Sequence, residues 1–238
     1  MDPEGNAYLM GGSVYCPGAF SNNYVQMFDI QNQTWTYLPS LNNGHYGLPG
    51  FYMQNRLYYV SEYLECLNLQ DLDSGWTNCG DAPSEAIRYA AICVAQYWAW
   101  MSGGRQGLHI SNALYRWQPG HTTWQEMAAM SSAQYEHQMA CTDDHIYVIG
   151  DENINMQRYD ISSNTWSQLG GPLPYYRLST GALYLPWNQI IVPTGRNPSW
   201  SRENTVLRYD ISTGIWSQIS NVVKTPVIYT GVVLLPPT

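Results

Sequence analysis

The chain has 238 residues, 45% hydrophobic and 12% charged. That is room for one large all-β domain or two ordinary ones, with too little charge for a disordered chain. The formal net charge of -8, with nine Arg and a single Lys at Lys224, excludes nucleic acid as an expected partner. No apolar run reaches the length of a membrane span, and Met1-Asp2-Pro3-Glu4-Gly5 has neither the basic nor the apolar region of a secretion signal. No membrane partner and a cytoplasmic setting are therefore expected.

The first predicted element is the apolar strand Ala7-Tyr8-Leu9-Met10, closed by Gly11-Gly12. A long loop over residues 13–23 follows, then Phe28-Asp29-Ile30, four turn-like residues and Trp35. This order returns along the chain. Strand ends of the same kind stand at Ser61-Glu62, Gly103-Gly104, Gly150-Asp151 and Thr194-Gly195. The aromatic-Asp-Ile landmark returns as Tyr159-Asp160-Ile161 before Trp166 and Tyr209-Asp210-Ile211 before Trp216, and in degenerate form before Trp76 and Trp124. The five Trp lie 41, 48, 42 and 50 residues apart. Asp followed by Ser, Asn, Gly or Thr predicts an Asx-type hairpin, and each Trp is expected to wedge between neighbouring repeats. Gln54-Asn55 and Asp143-Asp144-His145 read as hairpin turns.

A third apolar strand with small residues at its start precedes each copy, near Gly50, Ala90, Ala140 and Gly181, and once more at Gly231-Val232-Val233-Leu234-Leu235. One repeat cannot bury both faces of its sheet alone, so the units must stack, and a ring leaves no end exposed. The expected fold is all-β: a five-bladed β-propeller with four antiparallel strands per blade. The C-terminal strand completes the N-terminal blade and closes the ring. The expected single domain covers 1–238, with blades at 1–43 plus 227–238, 44–83, 84–131, 132–173 and 174–226.

Strand, Gly-Gly, variable loop, Tyr-Asp, four-residue turn and Trp make the pattern of the Kelch repeat, and over essentially its whole length the chain resembles Kelch-repeat β-propellers. Gly11-Gly12, Gly103-Gly104, Tyr159-Asp160, Tyr209-Asp210 and the five Trp carry the resemblance. Two departures stand out: many Kelch propellers have six blades, and here the glycine pair is broken three times.

The resemblance implies that partners sit on the face built by the loops after the glycine pair and the loops before each first strand. The post-glycine loops supply Arg105, and Trp200 flanked by Arg196 and Arg202, a composition suited to a binding hot spot. The loops before the first strands carry a Tyr in every repeat: Tyr46, Tyr89, Tyr135, Tyr175-Tyr176 and Tyr229. The expected ligand-binding residues are Tyr46, Arg88, Tyr89, Arg105, His137, Tyr176, Arg177, Trp200, Arg202 and Tyr229. Glu62 and Asp151, in place of glycines, are expected near the same mouth.

Arginines beside aromatic rings suit an acidic peptide motif, a phosphate or a carboxylate. The expected function is a non-catalytic module that binds a protein or short peptide, as the Kelch domains of ubiquitin ligase adaptors do. Two alternatives stay open: a lectin-like propeller, suited by the Tyr, Trp, Asn and Gln content, and a cytoskeletal protein that binds actin. No catalytic residues, metal or cofactor are expected. The histidines show no metal-site spacing, and G-x-S-x-G, P-loop and C-x-x-C patterns are absent. The five scattered cysteines, Cys16, Cys66, Cys79, Cys93 and Cys141, are read as buried free thiols of a reducing compartment. Asn32-Gln33-Thr34 is a lone glycosylation sequon.

Overall fold

The computed structural model describes residues 2–14, 20–44, 46–84, 88–150, 156–169, 173, 181–185, 187–193, 195–197, 199, 201 and 203–219. Every regular element among them is a strand. Most of the strands form five antiparallel meander sheets, the blades of a propeller, and the rest form two short two-stranded ribbons. Blade 1 holds Ala7–Met10, Val25–Asp29 and Thr34–Leu38. Blade 2 holds Gly50–Met53, Arg56–Val60, Tyr63–Asn68 and Trp76–Asp81. Blades 3 and 4 begin at Ala91–Ala95 and Gln138–Cys141, and blade 5 runs from Leu183–Leu185 to Ile215–Ile219. The first strands of blades 2 to 5 stand side by side in chain order around the axis. The strand expected to complete blade 1, Gly231 to Leu235, lies outside the described residues.

The cores lie at the seams between blades, and strand periodicity explains why. In Arg56–Val60, Leu57 and Tyr59 face the seam with blade 1, while Tyr58 and Val60 face the seam with blade 3. In His145–Ile149, Ile146 and Val148 face blade 3, and Tyr147 and Ile149 face blade 5. A strand sandwiched between two neighbours buries both faces, so its sequence reads as a continuous apolar run.

The repeat motif has a local physical basis. The motif aromatic and the motif Trp are direct cross-strand partners: Phe28 with Trp35, Tyr159 with Trp166 and Tyr209 with Trp216. Their ring centroids are 5.1, 5.2 and 5.0 Å apart, within the range of favourable aromatic pairs. The Asp at the head of each hairpin accepts backbone N–H groups through Oδ1, as from Gln31 and Asn32 to Asp29 and from Ser163 to Asp160. The Asx hairpin is as expected. Gln54 and Asn55 both have positive φ, 51° and 57°, which makes their hairpin a type I′ turn.

Four of the five Trp wedge toward the preceding blade. Trp76 donates its indole N–H to Pro39 across the seam at 2.8 Å, and Trp166 to Ala128 at 2.7 Å. Trp124 and Trp216 pack against the cores of their seams. The fifth differs from expectation: Trp35 is 56% exposed.

The cysteine expectation is overturned. Cys66 is joined to Cys79, and Cys93 to Cys141, with Cα separations of 5.9 and 6.0 Å. Sequence spacing concealed both pairs. Cys66 stands opposite Thr77 on the neighbouring strand, so Cys79 lies two residues further along the same face. Cys93 and Cys141 sit on the first strands of adjacent blades, 48 residues apart in the chain. Disulfides of this kind persist in oxidising surroundings, the opposite of what free thiols imply. Cys16 lies outside the described residues.

Candidate functional site

Two sets of loops meet at one end of the propeller: those joining second to third strands, and those leading into the first strands. The lead-in loops are chained from blade to blade through their backbones. The N–H of Tyr89 donates to the carbonyl of Gly47, and the N–H of Glu136 donates to the carbonyl of Tyr89 at 2.8 Å. Gly47, Tyr89 and Glu136 thus occupy equivalent places in blades 2, 3 and 4, and their φ values of 69°, 59° and 57° are all left-handed. The recurring Tyr is therefore out of step by one residue in blade 3. Tyr46 and Tyr135 precede the left-handed position, whereas Tyr89 occupies it and Arg88 stands where blades 2 and 4 have Tyr.

That slip interleaves guanidinium groups with phenol rings. The Arg88 guanidinium carbon is 5.2 Å from the centroid of Tyr46, and that of Arg105 is 5.3 Å from the centroid of Tyr135. The rings of Tyr89 and Tyr135 are 6.5 Å apart and edge to face. The Arg105 N–H donates to the carbonyl of Arg88 at 2.7 Å, which fastens the post-glycine loop of blade 3 to its lead-in loop. Arg105 Nε also donates to the carbonyl of Gly107 at 2.6 Å. Beyond it Arg105–Gln106 and His109–Ile110 form a small ribbon whose tip, Leu108, is 94% exposed. Among the described residues no carboxylate forms an ion pair with Arg88 or Arg105. Two cations held on aromatic faces, beside an exposed leucine, can take an anionic group flanked by an apolar one.

Of the expected site residues, Tyr46, Arg88, Tyr89 and Arg105 come together here. Tyr176, Arg177, Trp200, Arg202 and Tyr229 lie outside the described residues. Tyr135, named in the recurring Tyr series but not among the expected ligand-binding residues, joins the cluster, as does Leu108, which was not singled out. The recurrence of Tyr pointed to the first, and an apolar residue directly after Gly107 at a loop tip was the available signal for the second.

His137 is placed differently. It is 4% exposed, and its Nε2 lies 2.8 Å from the hydroxyl of Ser102 in blade 3. The same hydroxyl lies 3.0 Å from Met139 Sδ. Burial pushes the imidazole down to about 3, so it is neutral at physiological pH and serves the seam between blades 3 and 4. Arg196 is likewise engaged: its Nη2 meets Glu136 Oε2 at 2.7 Å in a buried pair that ties blade 5 to the lead-in loop of blade 4. Glu62 is exposed, and Asp151 lies outside the described residues.

Among the described residues no group of three His, Cys, Asp or Glu side chains is arranged to hold a metal ion, and no helix is long and apolar enough to cross a membrane.

No protein-family model matches the chain. Among known proteins it is similar to Kelch-like protein 34 of Homo sapiens, with 26% identity over 172 residues. That similarity covers 66% of this chain and 27% of the human protein, so the chain spans only a minor part of that relative's length. Together with the five-bladed architecture, the similarity bears out the resemblance to Kelch-type propellers.

Proposed function

We propose that the chain is a non-catalytic binding module that takes up a protein or short peptide with an acidic motif on its loop face. The observation that carries this reading is the pair of guanidinium groups, Arg88 and Arg105, each held on a tyrosine ring and neither ion-paired among the described residues. In a chain with net charge -8 this is a local reversal of sign, which favours an acidic segment and disfavours a nucleic-acid backbone. Leu108 and the tyrosine rings supply the apolar contact that a charged motif needs for affinity. Substrate recognition for a ubiquitin ligase fits this reading, with the ligase-binding segment supplied by another part of the protein or by a partner. The cytoplasmic setting stays within the proposal, with the two disulfides as oxidised states open to reduction there.

The test compares wild type with Arg88→Ala and Arg105→Ala on arrays of acidic, neutral and basic peptides, followed by titration of the best binder. Acidic peptides should bind in a salt-sensitive way. Each substitution should weaken them roughly tenfold or more, since a charge-assisted hydrogen bond is worth about 1.5–3 kcal/mol. Glycan binding untouched by either substitution would favour the lectin reading. Co-sedimentation with filamentous actin, equally untouched, would favour the cytoskeletal one.

A further inference from the structure

An open cleft of about 350 Å³ lies on the seam between blades 2 and 3. It sits on the face opposite the loop cluster, beside the hairpin of Gln54 and Asn55 and the turn at Pro119-Gly120. Arg56, Tyr58 and Cys79 line it from blade 2, and Trp117 from blade 3. The Cys66–Cys79 disulfide presents its two sulfurs unequally. Cys66 is 1% exposed, whereas Cys79 is only partly buried and belongs to the cleft wall. On the Cys66 side, Arg56 Nη1 lies 3.6 Å from Cys66 Sγ, while the Thr77 hydroxyl sits between the two sulfurs, 3.7 Å from Cys66 Sγ and 3.9 Å from Cys79 Sγ. Arg56 is exposed, and no carboxylate among the described residues pairs with it.

We propose that this cleft is a thiol–disulfide exchange site, in which an anionic low-molecular-weight thiol of the glutathione class modifies Cys79. The thiolate enters the cleft and attacks Cys79 Sγ. A new sulfur–sulfur bond forms between ligand and Cys79, the Cys66–Cys79 bond breaks, and its electron pair leaves on Cys66 Sγ. The attacking thiolate supplies the charge that Cys66 then carries, so no oxidant or further reductant enters the step. The Arg56 guanidinium stabilises that buried thiolate, which makes Cys66 the better leaving group and Cys79 the modified residue. Arg56 also draws the ligand's carboxylates to the cleft. Reattack by Cys66 reverses the step. The second disulfide offers a built-in comparison: Cys93 and Cys141 pack against the apolar core between blades 3 and 4, and neither lines the cleft.

The experiment exposes the purified, oxidised chain to reduced glutathione, quenches with acid over time and maps modified cysteines by mass spectrometry. Cysteamine, a cationic thiol, serves as the second probe. The expected first product is a glutathionyl group on Cys79, with Cys93 and Cys141 lagging roughly tenfold or more. Cysteamine should react about tenfold more slowly than glutathione at equal thiolate concentration. Arg56→Gln should slow Cys79 modification by about tenfold while the Cys93–Cys141 rate stays constant. Arg56→Lys, which keeps the charge, should restore most of the rate and covers the case in which Arg56→Gln folds poorly. First modification at Cys66 or at the Cys93–Cys141 pair, equal rates for the two thiols, or an Arg56→Gln rate equal to wild type would each overturn the proposal. So would alkylation of Cys66 and Cys79 in the isolated chain without any reductant.

Discussion

His137 illustrates how one side chain's role depends on its neighbours. Its place just before a first strand suits a ligand-facing residue, yet the imidazole is buried under Gly103 and hydrogen-bonded to Ser102. Its folded pKa is pushed down to about 3 from an ordinary value of 6.5, so between those values the unfolded chain binds a proton that the native state refuses. Stability is therefore fully present above pH 6.5 and is lost as pH falls below it, with a slope approaching about 1.4 kcal/mol per pH unit. Denaturant titrations of wild type and His137→Gln between pH 7 and 5 should show that slope in wild type and a flatter line in the variant. Parallel lines would mean that the imidazole takes up its proton in the fold as readily as in the unfolded chain. Arg88 and Arg105, by contrast, were legible in the sequence as cations in loops. Their seating on Tyr46 and Tyr135 was not, because it depends on a one-residue slip in blade 3 that backbone conformation sets and residue type does not reveal.

At the scale of elements, legibility follows the range of the interaction. The hairpin of aromatic, Asp and Trp is complete within eight residues, with its ring pair, Asx turn and register, so its sequence announces it. The disulfides join residues that only strand pairing or blade packing brings together, and spacing alone could not have indicated them. The glycine pair falls between these cases. Its presence was plain, but at Gly103 its reason is contact with the next blade. A Cβ on Gly103 would sit 2.3 Å from the backbone oxygen of Gln134 and 2.7 Å from His137 Cε1, and Gly104 N–H donates to that same oxygen. Gly107 has the same φ of 61° but nothing within 4 Å of its Cβ position. Gly107→Ala should therefore cost only the left-handed strain, about 1–2 kcal/mol. Gly103→Ala should cost about 1–3 kcal/mol more, because blade 4's lead-in loop must move away. Equal losses for the two variants, measured by urea unfolding, would remove the inter-blade contact as the reason for the glycine.

At the scale of the molecule, stability rests on seams, and each seam couples two sheets that cannot stand alone. Four apolar clusters bind blades 1 to 5 in succession. The two disulfides divide along this line. Cys66–Cys79 closes a loop within blade 2 and fastens no seam, whereas Cys93–Cys141 ties the first strands of blades 3 and 4 beside the axis. A crosslink stabilises chiefly by restricting the unfolded chain, and the restriction grows with the loop enclosed. For separations of 13 and 48 residues the chain-entropy relation gives about 3 and about 4 kcal/mol. The larger effect also falls on a seam between blades. Replacing Cys93 and Cys141 together by Ser should lower Tm by roughly 8–16 °C for a chain of this size. Replacing Cys66 and Cys79 should lower it less. Calorimetry in the absence of reductant separates the two, and adding reductant to wild type should reproduce the sum. A Cys93→Ser, Cys141→Ser double variant that melts with wild type would mean that the apolar core of that seam holds blades 3 and 4 together without the covalent link.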